Sequence, residues 1–262
     1  QRGAAFVAEA LMLPGESTLA EALDVVDPDA LHAARNSLRR HLAEELEGEL
    51  AGLYAALAPN AAYAPSSEQA GRRALRNACL GYLLELDTDA VRKLALDQFR
   101  SADNMTDQFA ALAALAQNDS AERTTALAEF YERWQNEALV VDKWLAVQSG
   151  GRLPNTLETV KQLTTHPAFD IVNPNKVYSL LRNFGANLVR FHTPEGYAFL
   201  AAKTIELDAR NPQVASRLAR CFDRWKKFDG ERQKHARVAL ESIRDHAGLS
   251  RDVLEVVTRS LG

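Results

Sequence analysis

Residues 31–53 read LHAARNSLRRHLAEELEGELAGL. Leu31, Leu38, Leu42, Leu46, Leu50 and Leu53 recur at mostly four-residue spacing, while Arg39, Arg40, Glu44, Glu45 and Glu47 fall largely elsewhere. Side chains three and four apart share one face of an α-helix, so the leucines form an apolar stripe and the charges a solvated one. The pattern predicts a helical stretch whose leucine face docks on neighbouring helices.

Working outward, the same reading extends along nearly the whole chain. Alanine and leucine dominate, and no stretch alternates β-branched and polar residues between hairpin turns as a sheet requires. Helix-start signals recur at Thr18 with Glu21, Asp27-Pro28, Ser66 with Gln69, Asn155 with Glu158, Asn173-Pro174, Asn211-Pro212, Asp229 and Ser250. Each sets a side-chain acceptor beside the first unpaired helix N–H groups, often with proline in the first turn, where its missing donor costs nothing. They predict about a dozen helices joined by short connections. Serial stacking of such antiparallel pairs gives an all-α superhelical solenoid of the armadillo or HEAT kind, although no fixed-period sequence repeat is present. The chain is expected to form one helical-repeat domain over residues 1–262. Its clearest loop, Ser149-Gly150-Gly151-Arg152-Leu153-Pro154, marks a possible break between sub-bundles near 149–154, and 184–194 reads as a short irregular linker.

Composition narrows the function. With 31 Lys and Arg against 35 Asp and Glu, the formal charge is −4, which argues against a general nucleic-acid binder. The two cysteines, Cys79 and Cys221, lie far apart in helical contexts, so no disulfide framework or CxxC motif is expected and a cytoplasmic setting fits best. No apolar run approaches the roughly 20 residues that span a bilayer, so no membrane partner is expected. The start, Gln1-Arg2-Gly3-Ala4, has no initiator methionine and no signal pattern, and reads as a fragment or a processed product.

Catalytic signatures are missing. None of His32, His41, His166, His192, His235 and His246 is followed by glutamate, so there is no HExxH zinc motif, and the six read as scattered surface or cap histidines. No GxSxG elbow, GxxxxGK[ST] loop or GxGxxG turn occurs. Cys79 reads as a buried inert thiol, and Trp134, Trp144 and Trp225 as packing anchors. One local charge feature stands out: Arg217, Arg220, Arg224, Lys226, Lys227, Arg232, Lys234 and Arg237 oppose only Asp223, Asp229 and Glu231. It is either a solvated face or a wall for an anionic group such as a carboxylate-bearing peptide, which an arginine fork grips through two parallel hydrogen bonds.

Five segments, in order, carry a family resemblance. They are Arg73-Ala74-Leu75-Arg76-Asn77-Ala78-Cys79-Leu80, Ala102-Asp103-Asn104-Met105-Thr106-Asp107, Asp142-Lys143-Trp144, Asn173-Pro174-Asn175-Lys176, and Arg210-Asn211-Pro212-Gln213-Val214-Ala215-Ser216-Arg217-Leu218. Together they resemble the C-terminal domain of bacterial aminopeptidase N, a zinc-dependent gluzincin exopeptidase. The resemblance implies a non-catalytic superhelical domain that packs over the catalytic domain of the same polypeptide and closes a chamber, gating peptide substrates. It implies that zinc and the catalytic residues lie in that other domain, with no metal and no catalytic residue here. It also implies substrate-binding roles for Gln213, near the pocket for the first side chain, and Arg217, near the peptide's carboxyl side. Some relatives carry a second arginine where this chain has Tyr178; Lys176 is a candidate to compensate. The alternative from a different class is a free-standing helical scaffold binding a partner protein.

Overall fold

A computed structural model describes residues 3–262; the opening Gln1-Arg2 pair lies outside them. The described residues hold seventeen α-helical segments, twelve of them eight residues or longer, and no β-strand beyond a single bridge between Val26 and Phe228. The extra segments are one- and two-turn pieces. Most of the start signals act as expected: Ser66, Asn173, Asn211, Asp229 and Ser250 each accept a backbone N–H at the head of a helix, and Asp27 accepts two. Two differ. Thr18 lies inside the helix Glu16–Glu21, and Asn155 stands at a helix start without a side-chain cap bond.

The chain divides into two compact units, one of the residues up to Gly15 with Ala33–Arg133, the other of Glu16–His32 with Trp134–Gly262. The sequence boundary between them at Arg133–Trp134 precedes the 149–154 loop, which lies within the second unit.

In the first unit the helix Ser67–Leu83 is central, packing against Ala4–Ala10, Glu47–Ala56 and Met105–Leu115. Leu80, Leu112, Leu115 and Phe130 are fully enclosed, each contributing roughly 1.5–3 kcal/mol of burial. The leucine stripe of 31–53 is only partly interior. The helix Pro28–Glu45 ends, Glu47–Ala56 begins after Leu46, and the break turns the stripe, so Leu50 is buried while Leu38 and Leu53 are exposed. Tyr54 and Ala43 take the interior positions instead. Two segments of the family resemblance meet in one polar network: Asn77 Nδ2 donates to Asp107 Oδ1 (2.9 Å), Gln98 Nε2 to Asn77 Oδ1 (2.8 Å), and the Tyr54 hydroxyl to Gln98 Oε1 (2.9 Å). Arg76 donates to Tyr54 Oη (2.9 Å), and Asn104 caps the helix that carries Asp107. A hydrogen-bonded network that links side chains of several helices favours one packing register, so these residues hold helices together.

The second unit is stapled by side chains reaching across its irregular stretches. Asn183 Nδ2 donates to Ala146 O (2.8 Å) and Ser149 Oγ (2.9 Å), Asn187 Nδ2 to Ser149 O (3.2 Å) and Gly151 O (2.8 Å), and Arg190 Nε to Arg152 O (2.8 Å). Side chains of the 183–190 stretch thus supply donors to the carbonyls of the 149–152 loop. The expected linker over 184–194 is itself short helices, with Thr193 capping Pro194–Asp208. Two further resemblance segments also pair, because Lys176 is buried with its Nζ 2.8 Å from Asp142 Oδ1 and donating to Ala138 O (3.0 Å). The remote segment Glu16–His32 is fastened by backbone and charge: Val26 N–H donates to Lys227 O (2.8 Å), and Ala20, Val26, Leu188 and Phe228 bury together with Leu31 against them.

Phe184, Phe191, Tyr197 and Phe222 form an aromatic core, with His192 stacked 3.8 Å from the Phe228 ring centroid. His192 corrects the expectation of scattered surface histidines. It is 7% exposed, its Nδ1 and the Tyr197 hydroxyl share a hydrogen bond of 2.9 Å, and its backbone oxygen accepts from Arg232 Nε (3.0 Å). Burial first, and the Arg232 charge second, lower its pKa from 6.5 to about 3. The unfolded chain therefore binds more protons than the folded one between those values, and stability falls as pH drops below about 6.5. The limiting slope is about 1.4 kcal/mol per pH unit. Urea unfolding at pH 7.5 and pH 5 is expected to show a loss in the natural chain exceeding that in His192→Gln by about 1–2 kcal/mol; equal losses would remove His192 as the cause.

Candidate functional site

Asn211-Pro212 opens the helix Pro212–Ala219: the Asn211 side chain accepts the Val214 N–H at 3.1 Å and Pro212 fills the first turn. Val214, Ala215, Leu218 and Ala219 are buried, which leaves Gln213, Arg217 and the following Arg220 on the exposed side. Gln213 and Arg217, four residues apart, share a face. The structure brings both predicted site residues into one cleft of about 560 Å³, together with Tyr178, Arg182, Ser216, Arg220 and Val256.

The opposite wall is a turn of π-helix. Asn173 caps Pro174–Val177, and the chain then widens over Tyr178–Arg182, where the Asn183 N–H reaches the Tyr178 carbonyl five residues back. Such turns admit an extra residue and re-aim side chains. Leu180 and Leu181 anchor it in the core, while Tyr178 and Arg182 reach the cleft. The Tyr178 hydroxyl accepts a hydrogen bond from Arg217 Nη1 (3.0 Å), and the Arg182 guanidinium carbon lies 5.9 Å from the Tyr178 ring centroid. A second recess of about 350 Å³ continues past Arg182 and Arg220 to Gly185 and Cys221.

This geometry revises two expectations. Lys176 does not stand in for a second cation, because it is buried against Asp142 and Ala138. The basic stretch 217–237 is not one surface: Arg224 pairs with Glu21 (2.7 Å), Arg232 with Asp29 and Asp229 (2.5 Å each), and Lys234 with Glu231 (2.5 Å). Lys227 Nζ donates to the carbonyls of Ala20, Glu21 and Leu23, closing the C-terminal end of Glu16–Glu21. Arg237 lies over the Trp225 ring, 5.0 Å from its centroid. Of that stretch, Arg217 and Arg220 line the cleft. Sequence reading missed Arg182 as their companion, because the π turn that aims it has no sequence signature.

Three guanidiniums, an amide and a phenol suit the site to holding an anion or a peptide's polar groups. Cys221 adds no nucleophile, since burial pushes its thiol up to about 12. No group of three His, Cys, Asp or Glu among the described residues is placed to hold a metal ion.

The family model described as a domain of unknown function (DUF3458_C), ARM repeats, matches residues 1–262. The chain belongs to this family. Its repeat description agrees with the all-α helical-repeat fold expected from the sequence. This DUF3458_C domain is 39% identical over 260 residues to aminopeptidase N of Escherichia coli and 41% identical over 263 residues to aminopeptidase N of Caulobacter vibrioides. Each alignment covers 98% of this chain and 30% of the relative, so the chain spans about 30% of the curated relatives it matches. The matched region is the C-terminal domain of those proteins, as the resemblance implied. The crystal structure of Legionella pneumophila aminopeptidase A in complex with aspartic acid superposes with a TM-score of 0.91 at 32% identity, over 99% of this chain and 32% of that one.

The wall of the second recess depends on Gly185, where an added Cβ would stand 2.4 Å from Cys221 Sγ and 2.8 Å from its Cβ. Gly185→Ala is expected to cost about 1–3 kcal/mol in urea unfolding, with partial recovery when Cys221→Ala is added. An unchanged midpoint for the single variant would show that the two walls are not in enforced contact.

Proposed function

We propose that this chain is the non-catalytic C-terminal helical domain of a zinc metallo-aminopeptidase that releases N-terminal amino acids from peptides in the cytoplasm. In this reading it packs over the catalytic domain of the same polypeptide, closes the chamber around the reactive metal, and admits short or unfolded peptides while excluding folded proteins. Among the described residues no group of three His, Cys, Asp or Glu is placed to hold a metal ion, and in this reading the zinc sits in the catalytic domain.

The observation that carries the reading is the cleft of Gln213, Arg217 and Tyr178, built on the Asn211–Arg217 motif in a chain that aligns over 98% of its own length with part of aminopeptidase N. Gln213, in the first turn of an exposed helix, offers an amide that both donates and accepts, suited to a substrate's first side chain or backbone. Arg217 is pre-positioned by Tyr178 Oη, which lowers the ordering cost of gripping a carboxylate. Both act by binding and orienting, and neither moves a proton.

Adding this chain to a separately prepared catalytic portion is expected to restore peptidase activity; no binding and no restoration under any refolding condition would favour the free-standing scaffold. In the full-length enzyme, Arg217→Ala is expected to raise KM for short peptides about tenfold while leaving an uncharged amide substrate nearly unaffected. Equal effects on both substrates would take Arg217 out of the site.

A further inference from the structure

Several cations of the second unit are neutralised by carboxylates within the protein. Arg224 holds Glu21, Arg232 holds Asp29 and Asp229, and Lys176 holds Asp142. The walls shared by the two recesses break this pattern. Arg182, Arg217 and Arg220 all line them, and neither recess is lined by a carboxylate. Asp223 belongs to a third recess of about 380 Å³ beyond Arg220; burial raises its carboxyl pKa, with Arg220 and Arg259 opposing. Even with Asp223 counted, the strip keeps a positive surplus. Like charges gathered in a concave site repel one another and focus a field on whatever enters, so the missing counter-charge must come from solvent ions or a ligand.

The placement of the three side chains is ordered. Tyr178 stands between two of them, its hydroxyl accepting from Arg217 and its ring face lying under Arg182. Arg182, Arg217 and Arg220 are common to both recesses, while Gln213 lines only the first. An occupant of either recess therefore meets all three guanidiniums, of which Arg217 is pinned by the Tyr178 hydroxyl. One carboxylate leaves two of the three charges unmatched, and a second reduces that to one, which solvent ions balance.

We propose that this cleft selects peptides carrying two carboxylates at one end, a C-terminal carboxylate and an acidic side chain, gripped by Arg182 and Arg220 as well as Arg217. The inference rests on the peptide-contact reading of the cleft and goes beyond it by naming the ligand class and two further binding residues. Tyr178 is a positioning residue that spaces the guanidiniums.

The test is direct binding to the 262-residue chain by titration calorimetry, with acetyl-Ala-Ala-Glu, acetyl-Ala-Ala-Gln and inorganic phosphate as probes. The Glu peptide is expected to bind about tenfold or more tightly than the Gln peptide, with the preference shrinking as salt rises. Arg182→Gln and Arg220→Gln are each expected to abolish most of that preference and Arg182→Lys to retain part of it, whereas Arg244→Gln, at an exposed pair with Asp245, leaves it intact. Thermal melts verify that each variant is folded; Arg182 is exposed, so its replacement leaves the core untouched. Equal binding of the two peptides, full preference in Arg182→Gln, or phosphate binding as tightly as the Glu peptide would each overturn the proposal. Because no catalytic domain is needed, the result separates from the proposed function: selective binding with failed reconstitution sinks the aminopeptidase assignment alone, and reconstitution without selectivity sinks this inference alone.

Discussion

Each end of a helix leaves up to four N–H or C=O groups without an intrahelical partner, and a chain of many short helices meets that cost repeatedly. Satisfying those ends is the constraint on which the rest of this structure depends. Ser66, Thr88, Asn104, Asn173, Asn187, Thr193, Asn211, Asp229 and Ser250 each accept a backbone N–H at a helix start. At the other ends and in the loops, Lys227, Asn187 and Arg190 donate to carbonyls from positions far along the chain. Because these donors are tertiary, the same bonds that finish a helix also fix where its neighbour lies.

That economy explains what became of the charged residues. A basic run with few acids beside it looks like a ligand surface, yet most of it is consumed in joining the 16–32 segment and in short-range pairs. An exposed pair adds only about 0–1 kcal/mol, so the joining owes more to the buried Val26 and Phe228 and their bridge than to the ion pairs. What stands apart is the group the scaffold did not neutralise, at the junction of the π turn and the Pro212–Ala219 helix. The family's other recognisable segments lie in the scaffold, where Arg76, Asn77, Asn104 and Asp107 form one network and Asp142 with Lys176 one ion pair. A motif can thus identify a family while its residues serve packing.

Local chemistry was written in the sequence, because a cap, a proline in a first turn and an apolar period act over three or four residues. From these came the all-α repeat fold, the start of the helix bearing Gln213 and Arg217, and their common face. Only the tertiary structure decided which leucines of 31–53 are buried, since Leu38 and Leu50 carry the same period and differ only in what packs against them. It alone decided that His192 is enclosed and neutral, that Lys176 is spent on Asp142, and that Arg182 joins Arg217 and Arg220. Burial and charge pairing depend on neighbours scores of residues away, and no local pattern encodes them.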